Sequence, residues 1–231
     1  MNKKYDGKLF SVLGDSISTL DGYSEPPYSA FYSGEKKFEA GVYTPEDTWW
    51  GKVINALGAQ LLVNNSISGS LVSDHPCCNI PSYGCSDERT SALMRGDILP
   101  DVIMVFMGTN DWGYGVRLKA ENDAESSDRC VFSVAYSLML QKLRKNYPDA
   151  EIWCFTPLKT TCKCLGLDGV SPYRYGKHIA KFAAEIREAA SNHGCRVFDL
   201  LNSSAICDTI EGYHPNAEGM QVIADTVLSM L

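Results

Sequence analysis

The sequence predicts an α/β fold built on a mostly parallel sheet, with residues 1–231 as a single domain. Two observations carry this. Five apolar, β-branched or aromatic runs recur at 8–13, 60–65, 101–107, 151–156 and 196–200, and helix-period patterns separate most of them. The third run, DVIMVFMG, is almost continuously apolar, which suits a strand buried on both faces. Strand–helix alternation means βαβ units with right-handed crossovers.

Helices are expected at 45–57, 87–95, 128–146, 173–193 and 215–231. The last carries Met220, Ile223, Ala224, Val227, Leu228 and Leu231, an i, i+3, i+4 stripe. Pro215 suits its first turn, where a missing N–H costs nothing. Four stretches, 20–44, 71–86, 112–127 and 159–172, are too irregular for regular elements. Each follows the C-terminal end of a strand, the edge at which open α/β sheets bind ligands. The first is rich in aromatics: Tyr23, Tyr28, Phe31, Tyr32, Phe38 and Tyr43. These side chains either wall a sugar or acyl pocket or pin the loop down as a small satellite core.

Composition narrows the function classes. The 231 residues are 45% hydrophobic and 21% charged, with a net charge of -7, so a broad basic surface for nucleic acid is not expected. No apolar run approaches the ~18 residues of a membrane span. The first residues, MNKKYDGKLF, lack the apolar core of a signal peptide, and the expectation is a cytoplasmic protein. Nine cysteines are an odd number, so at least one thiol has no partner within the chain. Cys154 and Cys195 sit in apolar runs and are expected to be buried. Cys77, Cys78 and Cys85, with Cys162 and Cys164, lack the CxxC…CxxC spacing of zinc, and no metal is expected.

The candidates for chemistry lie at strand ends. Gly14-Asp15-Ser16 terminates the first apolar run, with Asp15 read as the turn-former behind the serine. Gly69, in NNSISGS, stands at a tight turn after the second run, where a glycine lets backbone approach a ligand closely. Asn110, in FMGTNDWG, follows the third run, and an Asn side chain is a recognised oxyanion donor. Of the four histidines, His178 and His193 read as surface residues of a helix and His75 falls in a cysteine- and proline-flanked loop. His214, in EGYHPNAEG, is different: Glu211 stands three residues before it, a spacing at which a short turn brings a carboxylate to Nδ1. Each residue has an ordinary structural role when taken singly. Ser16 tidies a turn, His214 caps a helix, and Asn110-Asp111 makes an Asx-turn.

Together, Ser16, Gly69, Asn110 and His214 fall on one edge of one sheet in that chain order. This set resembles the SGNH hydrolase family, the GDSL-type esterases and lipases. The four blocks are Gly14-Asp15-Ser16-Ile17-Ser18, the segment ending Ser68-Gly69, Gly108-Thr109-Asn110-Asp111, and Glu211-Gly212-Tyr213-His214-Pro215-Asn216. The chain departs from the family pattern at Ile17-Ser18, at Ser66 where glycine is usual, and at Glu211 where aspartate is usual. Ser18 also removes the second glycine of the GxSxG elbow, which excludes the α/β-hydrolase pattern. The resemblance implies a three-layer α/β/α sandwich on a flavodoxin-like five-stranded parallel sheet of order 2-1-3-4-5. It implies a serine esterase that needs no metal or cofactor. Ser16 is the implied nucleophile, His214 the base and Glu211 the orienting acid, with Asp208 as the other carboxylate in reach by sequence. The implied oxyanion donors are the Ser16 and Gly69 N–H groups and the Asn110 side chain. Short-acyl esters such as O-acetylated carbohydrates are the expected substrates. The alternatives are a lysophospholipase or acyl-thioesterase on the same machinery, a non-catalytic anion-binding module, and a hydrolase relic used for protein contact.

Overall fold

Residues 4–24, 30–75, 83–119 and 127–231 are described by a computed structural model. Tyr28, Cys77 and Cys78 lie outside the described residues. The central sheet has five strands: β1 Leu9–Gly14, β2 Gln60–Ser66, β3 Val102–Phe106, β4 Glu151–Phe155 and β5 Arg196–Phe198. Their order is β2-β1-β3-β4-β5 and every pairing is parallel. The expected fold class and strand order are those found.

β1, β3, β4 and β5 divide their side chains between two apolar layers, as the two-residue strand period requires. Val102, Met104 and Phe106 of β3 join one layer, and Ile103 and Val105 join the other. The first layer packs on α2 (Trp49–Ala56) and α7 (Ala217–Ser229) through Trp49, Val53, Met220 and Ile223. The second packs on α5 (Phe132–Asn146) and α6 (Ile179–Asn192) through Phe132, Met139, Phe182 and Ile186. Burial on both faces explains why the third strand reads as a continuous apolar run.

Three further helices are short: α1 (Gly34–Ala40), α3 (Asp87–Ser91) and α4 (Thr109–Gly113). α1 lies within a stretch expected to be irregular. It buries only Ala40, so it leaves no apolar stripe in the sequence, and Gly41 closes it in the left-handed conformation at φ 67°. α3 ends at Ser91, short of the expected residue 95.

The helix expected at 173–193 begins only at Ile179. The preceding residues form a hairpin, Tyr173–Arg174 against Lys177–His178. Tyr175 and Gly176 turn it with φ values of 46° and 73°, the left-handed pair that a tight two-residue hairpin turn needs. His178 then caps α6, its Nδ1 accepting from the Ala180 N–H at 3.0 Å. It is therefore half-buried at a helix start and not a surface residue of a helix. His193 is also half-buried, with Nε2 2.8 Å from Ser137 Oγ. Cys154 is buried as expected, whereas Cys195 is only partly so. Among the described residues, no helix is long and apolar enough to cross a membrane.

The start of α7 is held close to the loop before it. A Cβ at Gly219 would lie 2.3 Å from the Asp208 carbonyl oxygen and 3.0 Å from Pro215 Cβ. Only glycine lets the helix dock there. Gly219→Ala is expected to destabilise the fold by about 1–3 kcal/mol, the usual cost of overpacking. Urea unfolding measures this, and an unchanged midpoint would contradict the close docking of α7.

Candidate active site

β1 lies between β2 and β3, so the first two crossovers diverge and leave a crevice at the C-terminal ends of the strands. Ser16 emerges there. It opens a 3-10 turn, Ser16–Ser18, capped by Asp15, whose Oδ1 accepts from the Ile17 N–H at 3.1 Å. The turn folds back tightly on the strand ends: a Cβ at Gly14 would lie 2.6 Å from Ser18 Cβ and 2.7 Å from Ser66 Oγ. Trp50 Nε1 and Asn64 Nδ2 both donate to the Ser18 carbonyl, at 3.0 and 2.9 Å. The turn is thus fixed from α2 and from β2.

His214 arrives from the other end of the chain. Its Nε2 is 2.8 Å from Ser16 Oγ, and its Nδ1 is 2.6 Å from Glu211 Oε1. The same carboxylate oxygen accepts from the His214 backbone N–H at 2.9 Å. A carboxylate can only accept, so Nδ1 carries the proton and the Nε2 lone pair faces the serine hydroxyl. Burial would raise the Glu211 carboxyl, but the hydrogen bonds and charge of His214 outweigh it and hold the group below its usual range. Phe31 stacks on the imidazole, with ring centroids 3.5 Å apart and planes 11° from parallel. Tyr32 OH donates to the Pro215 carbonyl at 2.8 Å. Two aromatics of the first long loop therefore brace the histidine.

Asp208 is engaged elsewhere. Its oxygens accept from the Lys163 N–H at 3.0 Å and from Asn216 Nδ2 at 2.7 Å. The carboxyl thereby ties the base of the histidine loop to the segment after β4. Burial would raise it, and these hydrogen bonds hold it below the usual range.

Gly69 stands at φ 75° on the loop after β2, where its turn requires the left-handed region. Asn110 Nδ2 donates to the carbonyl of the next residue, Ser70, at 3.0 Å. Asp111, beside Asn110, accepts from the Val72 N–H at 2.9 Å, the Ser73 N–H at 3.0 Å and Ser73 Oγ at 2.7 Å. The loops after β2 and β3 are therefore one hydrogen-bonded unit, with Gly69 and Asn110 on it.

Beneath this unit lies Arg89, a residue the sequence did not single out. It is 1% exposed. Its guanidinium donates to Ser70 Oγ at 2.8 Å, to the Gly14 carbonyl at 3.0 Å, to the Asn65 carbonyl at 2.8 Å and to Asn65 Oδ1. One side chain thus joins the end of β1, the end of β2 and the Gly69 loop. Burial pulls the guanidinium down to about 10, so it stays charged at neutral pH. Nothing in the local sequence flags it, because its partners are spread from Gly14 to Ser70.

The cleft over Ser16 has a volume of about 210 Å³. Asn110 and His214 line it, with Trp112, Tyr114, Arg174 and Tyr213. The Arg174 guanidinium hydrogen-bonds Tyr213 OH and lies 5.3 Å from that ring's centroid. Arg174 comes from the unforeseen hairpin, which is why the sequence did not place it here. His178 and His193 are apart from the cleft, in the cap of α6 and beside Ser137. Among the described residues, no group of three or more His, Cys, Asp or Glu is placed to hold a metal ion.

Two carboxyls are buried around the site. Burial pushes Asp15 up to about 7, and its Oδ2 has no hydrogen-bond partner among the described residues. Burial pushes Asp111 up to about 6, against its three donors. A raised acid binds more protons folded than unfolded. It therefore lowers stability as pH rises from its unfolded value of about 3.9 toward its folded one. Asp15→Asn keeps the Ile17 cap and removes the titration, so its stability is expected to fall less than that of the parent between pH 4 and 7. Urea midpoints across that range measure the difference, and parallel profiles would contradict a buried, titrating Asp15.

The family model for GDSL-like lipase/acylhydrolase matches residues 8–163. Among solved structures, a GDSL-like lipase candidate from Bacteroides uniformis is 29% identical, with 97% of this chain and 95% of that chain covered at a TM-score of 0.73. Another from Bacteroides ovatus is 25% identical, covering 97% of this chain and 98% of that chain at a TM-score of 0.74. A carbohydrate acetylesterase family member from Sinorhizobium meliloti, 19% identical, shares the fold over 96% of both chains at a TM-score of 0.63. A search of the curated proteins finds no match. With the family model matching well over half of its length, the chain belongs to the GDSL-like lipase/acylhydrolase family and is a hydrolase acting on esters.

Proposed function

We propose that the protein, as one catalytic domain over residues 1–231, hydrolyses carboxylic esters through an acyl-enzyme on Ser16. The observation that carries this is the unbroken hydrogen-bonded line from Ser16 Oγ to His214 Nε2 and from Nδ1 to Glu211. It stands at the strand edge where α/β sheets bind their ligands. In the first half-reaction Ser16 Oγ attacks the ester carbonyl carbon and His214 Nε2 takes the hydroxyl proton. The C–O bond to the alcohol then breaks, and Nε2 returns the proton to the leaving oxygen. In the second half-reaction a water molecule gives its proton to Nε2 and attacks the acyl carbon. Ser16 leaves, and Nε2 reprotonates it. Glu211 holds the productive tautomer and stabilises the imidazolium.

The carbonyl oxygen gathers negative charge in both half-reactions. The Ser16 N–H, the Gly69 N–H and Asn110 Nδ2 are the donors we assign to it. Arg89 positions two of them by holding the carbonyl of Gly14 and the hydroxyl of Ser70. Donors fixed in advance need no reorganisation as the charge forms.

Short-acyl esters, with O-acetylated carbohydrates among them, are the substrate class we favour. The support is the small volume of the cleft over Ser16 and the rings of Tyr114 and Tyr213 in its lining, on which a sugar face can stack. Arg174 adds a donor for hydroxyl or acidic groups of the alcohol part.

Removing one oxyanion donor typically lowers turnover by ~10²–10³-fold. Asn110→Ala is therefore expected to reduce kcat on p-nitrophenyl acetate by roughly that factor, with the thermal midpoint little changed. A rate near that of the parent would remove Asn110 from the role. Ser16→Ala is expected to abolish burst-phase product release, and an undiminished burst would exclude Ser16 as the nucleophile.

A further inference from the structure

Cys162 and Cys164 lie on the segment that leads on from β4, and the chemistry above uses neither. Their sulfurs are 3.3 Å apart. Cys162 is fully buried, while Cys164 is exposed. The backbone fixes the pair. The Cys162 N–H donates to the Leu167 carbonyl and the Leu167 N–H to the Cys162 carbonyl, both at 2.9 Å. A 3-10 turn, Lys163–Leu165, presents Cys164 between these two residues, and Gly166 closes it at φ 67°. A disulfide needs about 2.05 Å between its sulfurs, so this pair has about 1.3 Å to close. Two other thiols are held back from reaction, because burial pushes Cys85 and Cys207 up to about 12.

The same segment grips the histidine loop on both sides of Glu211. After the acid, Thr160 Oγ1 donates to the Gly212 carbonyl at 2.7 Å. Before it, the Cys164 thiol donates to the Ile210 carbonyl at 3.2 Å. Thr209 Oγ1 donates to the Thr161 carbonyl at 2.5 Å, and Thr160–Thr161 pairs in parallel with Cys207–Asp208. The Cys164 sulfur thus touches both its partner thiol and the peptide that leads into Glu211.

We propose that Cys162 and Cys164 are a redox modification site: a low-molecular-weight disulfide, such as oxidised glutathione, converts them to an intramolecular disulfide, and that bond loosens the turn holding Glu211. The exposed Cys164, as thiolate, attacks one sulfur of the reagent. The reagent's S–S bond breaks, a mixed disulfide forms on Cys164 and one thiolate leaves. Cys162 then loses its proton, and its sulfur attacks Cys164 Sγ. The second thiolate leaves as the Cys162–Cys164 bond forms. The two cysteines give up two electrons and two protons in all, and the reagent becomes two thiols. Cys164 then has no S–H for the Ile210 carbonyl, and its sulfur is drawn toward Cys162. The effect on catalysis rests on Glu211 as the orienting acid, whereas formation of the disulfide does not.

The test equilibrates the full chain with mixtures of reduced and oxidised glutathione. Free thiols are alkylated after an acid quench and the peptides mapped, and the redox buffer is removed before hydrolysis of p-nitrophenyl acetate is measured. The peptide holding Cys162 and Cys164 is expected to lose two hydrogens. In step with it, kcat is expected to fall by about two- to tenfold, the range set by one lost hydrogen bond, and dithiothreitol to restore both. Cys164→Ser keeps a hydroxyl to donate to the Ile210 carbonyl. It is expected to stay within about twofold of the reduced parent and to ignore oxidised glutathione. Cys162→Ser is expected to stop at the mixed disulfide, with one glutathione on Cys164. If Cys162 and Cys164 are both still free in oxidised glutathione alone, the site is overturned. A disulfide that leaves kcat unchanged, or an equal loss of kcat in Cys164→Ser, would overturn its link to Glu211. Failure of the catalytic reading would look different: the reduced parent would hydrolyse no ester, and the peptide map would still decide the disulfide.

Discussion

A hydrogen bond between residues 198 positions apart closes the site: His214 Nε2 to Ser16 Oγ at 2.8 Å. The chain must bring the end of its first strand and the loop before its last helix to the same point. The parallel sheet does most of this. It places every strand's C-terminal end on one edge and leaves a crevice where β1 lies between β2 and β3. Docking of α7 through Gly219 does the rest, by seating its first turn against the Asp208 carbonyl at the base of the histidine loop. Stacking of Phe31 on the imidazole and the bond from Tyr32 to Pro215 then fix the angle of approach.

The ground beneath the serine is charged and dry. Asp15, Arg89 and Asp111 are each 1% exposed or less. Arg89 directs its donors to neutral oxygens of Gly14, Asn65 and Ser70, so its charge is spread over the frame that carries the Gly69 loop. In a site of low dielectric such a fixed cation counts for more than it would in water. Burial pushes Asp15 up to about 7, which limits how much negative charge stands behind Ser16 near neutral pH. In the reaction we propose, the arrangement favours the negative charge that forms on the carbonyl oxygen.

Much of this was legible in the sequence. The strands were readable because both faces of the sheet are buried, so β3 and β4 stand out as apolar runs. Ser16, Gly69, Asn110 and His214 were readable because each follows directly on a strand or precedes a helix, and local spacing put Glu211 beside His214. What was missed depends on long-range contacts. Arg89 looks like any polar residue of a short helix, because its partners lie on two strands and a loop. Phe31 was visible as an aromatic, but its stacking on a residue from the far end of the chain was not. The 173–178 hairpin falls inside the segment for which the sequence predicts a helix. Only the left-handed pair Tyr175-Gly176 marks the turn that carries Arg174 to the cleft.

The central claim is that Ser16 is made nucleophilic by His214 and Glu211. Covalent labelling with a fluorophosphonate, followed by peptide mapping, tests it most directly. The account predicts one adduct per chain, on Ser16, formed far more slowly in His214→Ala and more slowly in Glu211→Gln, with both variants folded. An adduct on another residue, or labelling of Ser16 at the parent rate in His214→Ala, would contradict it.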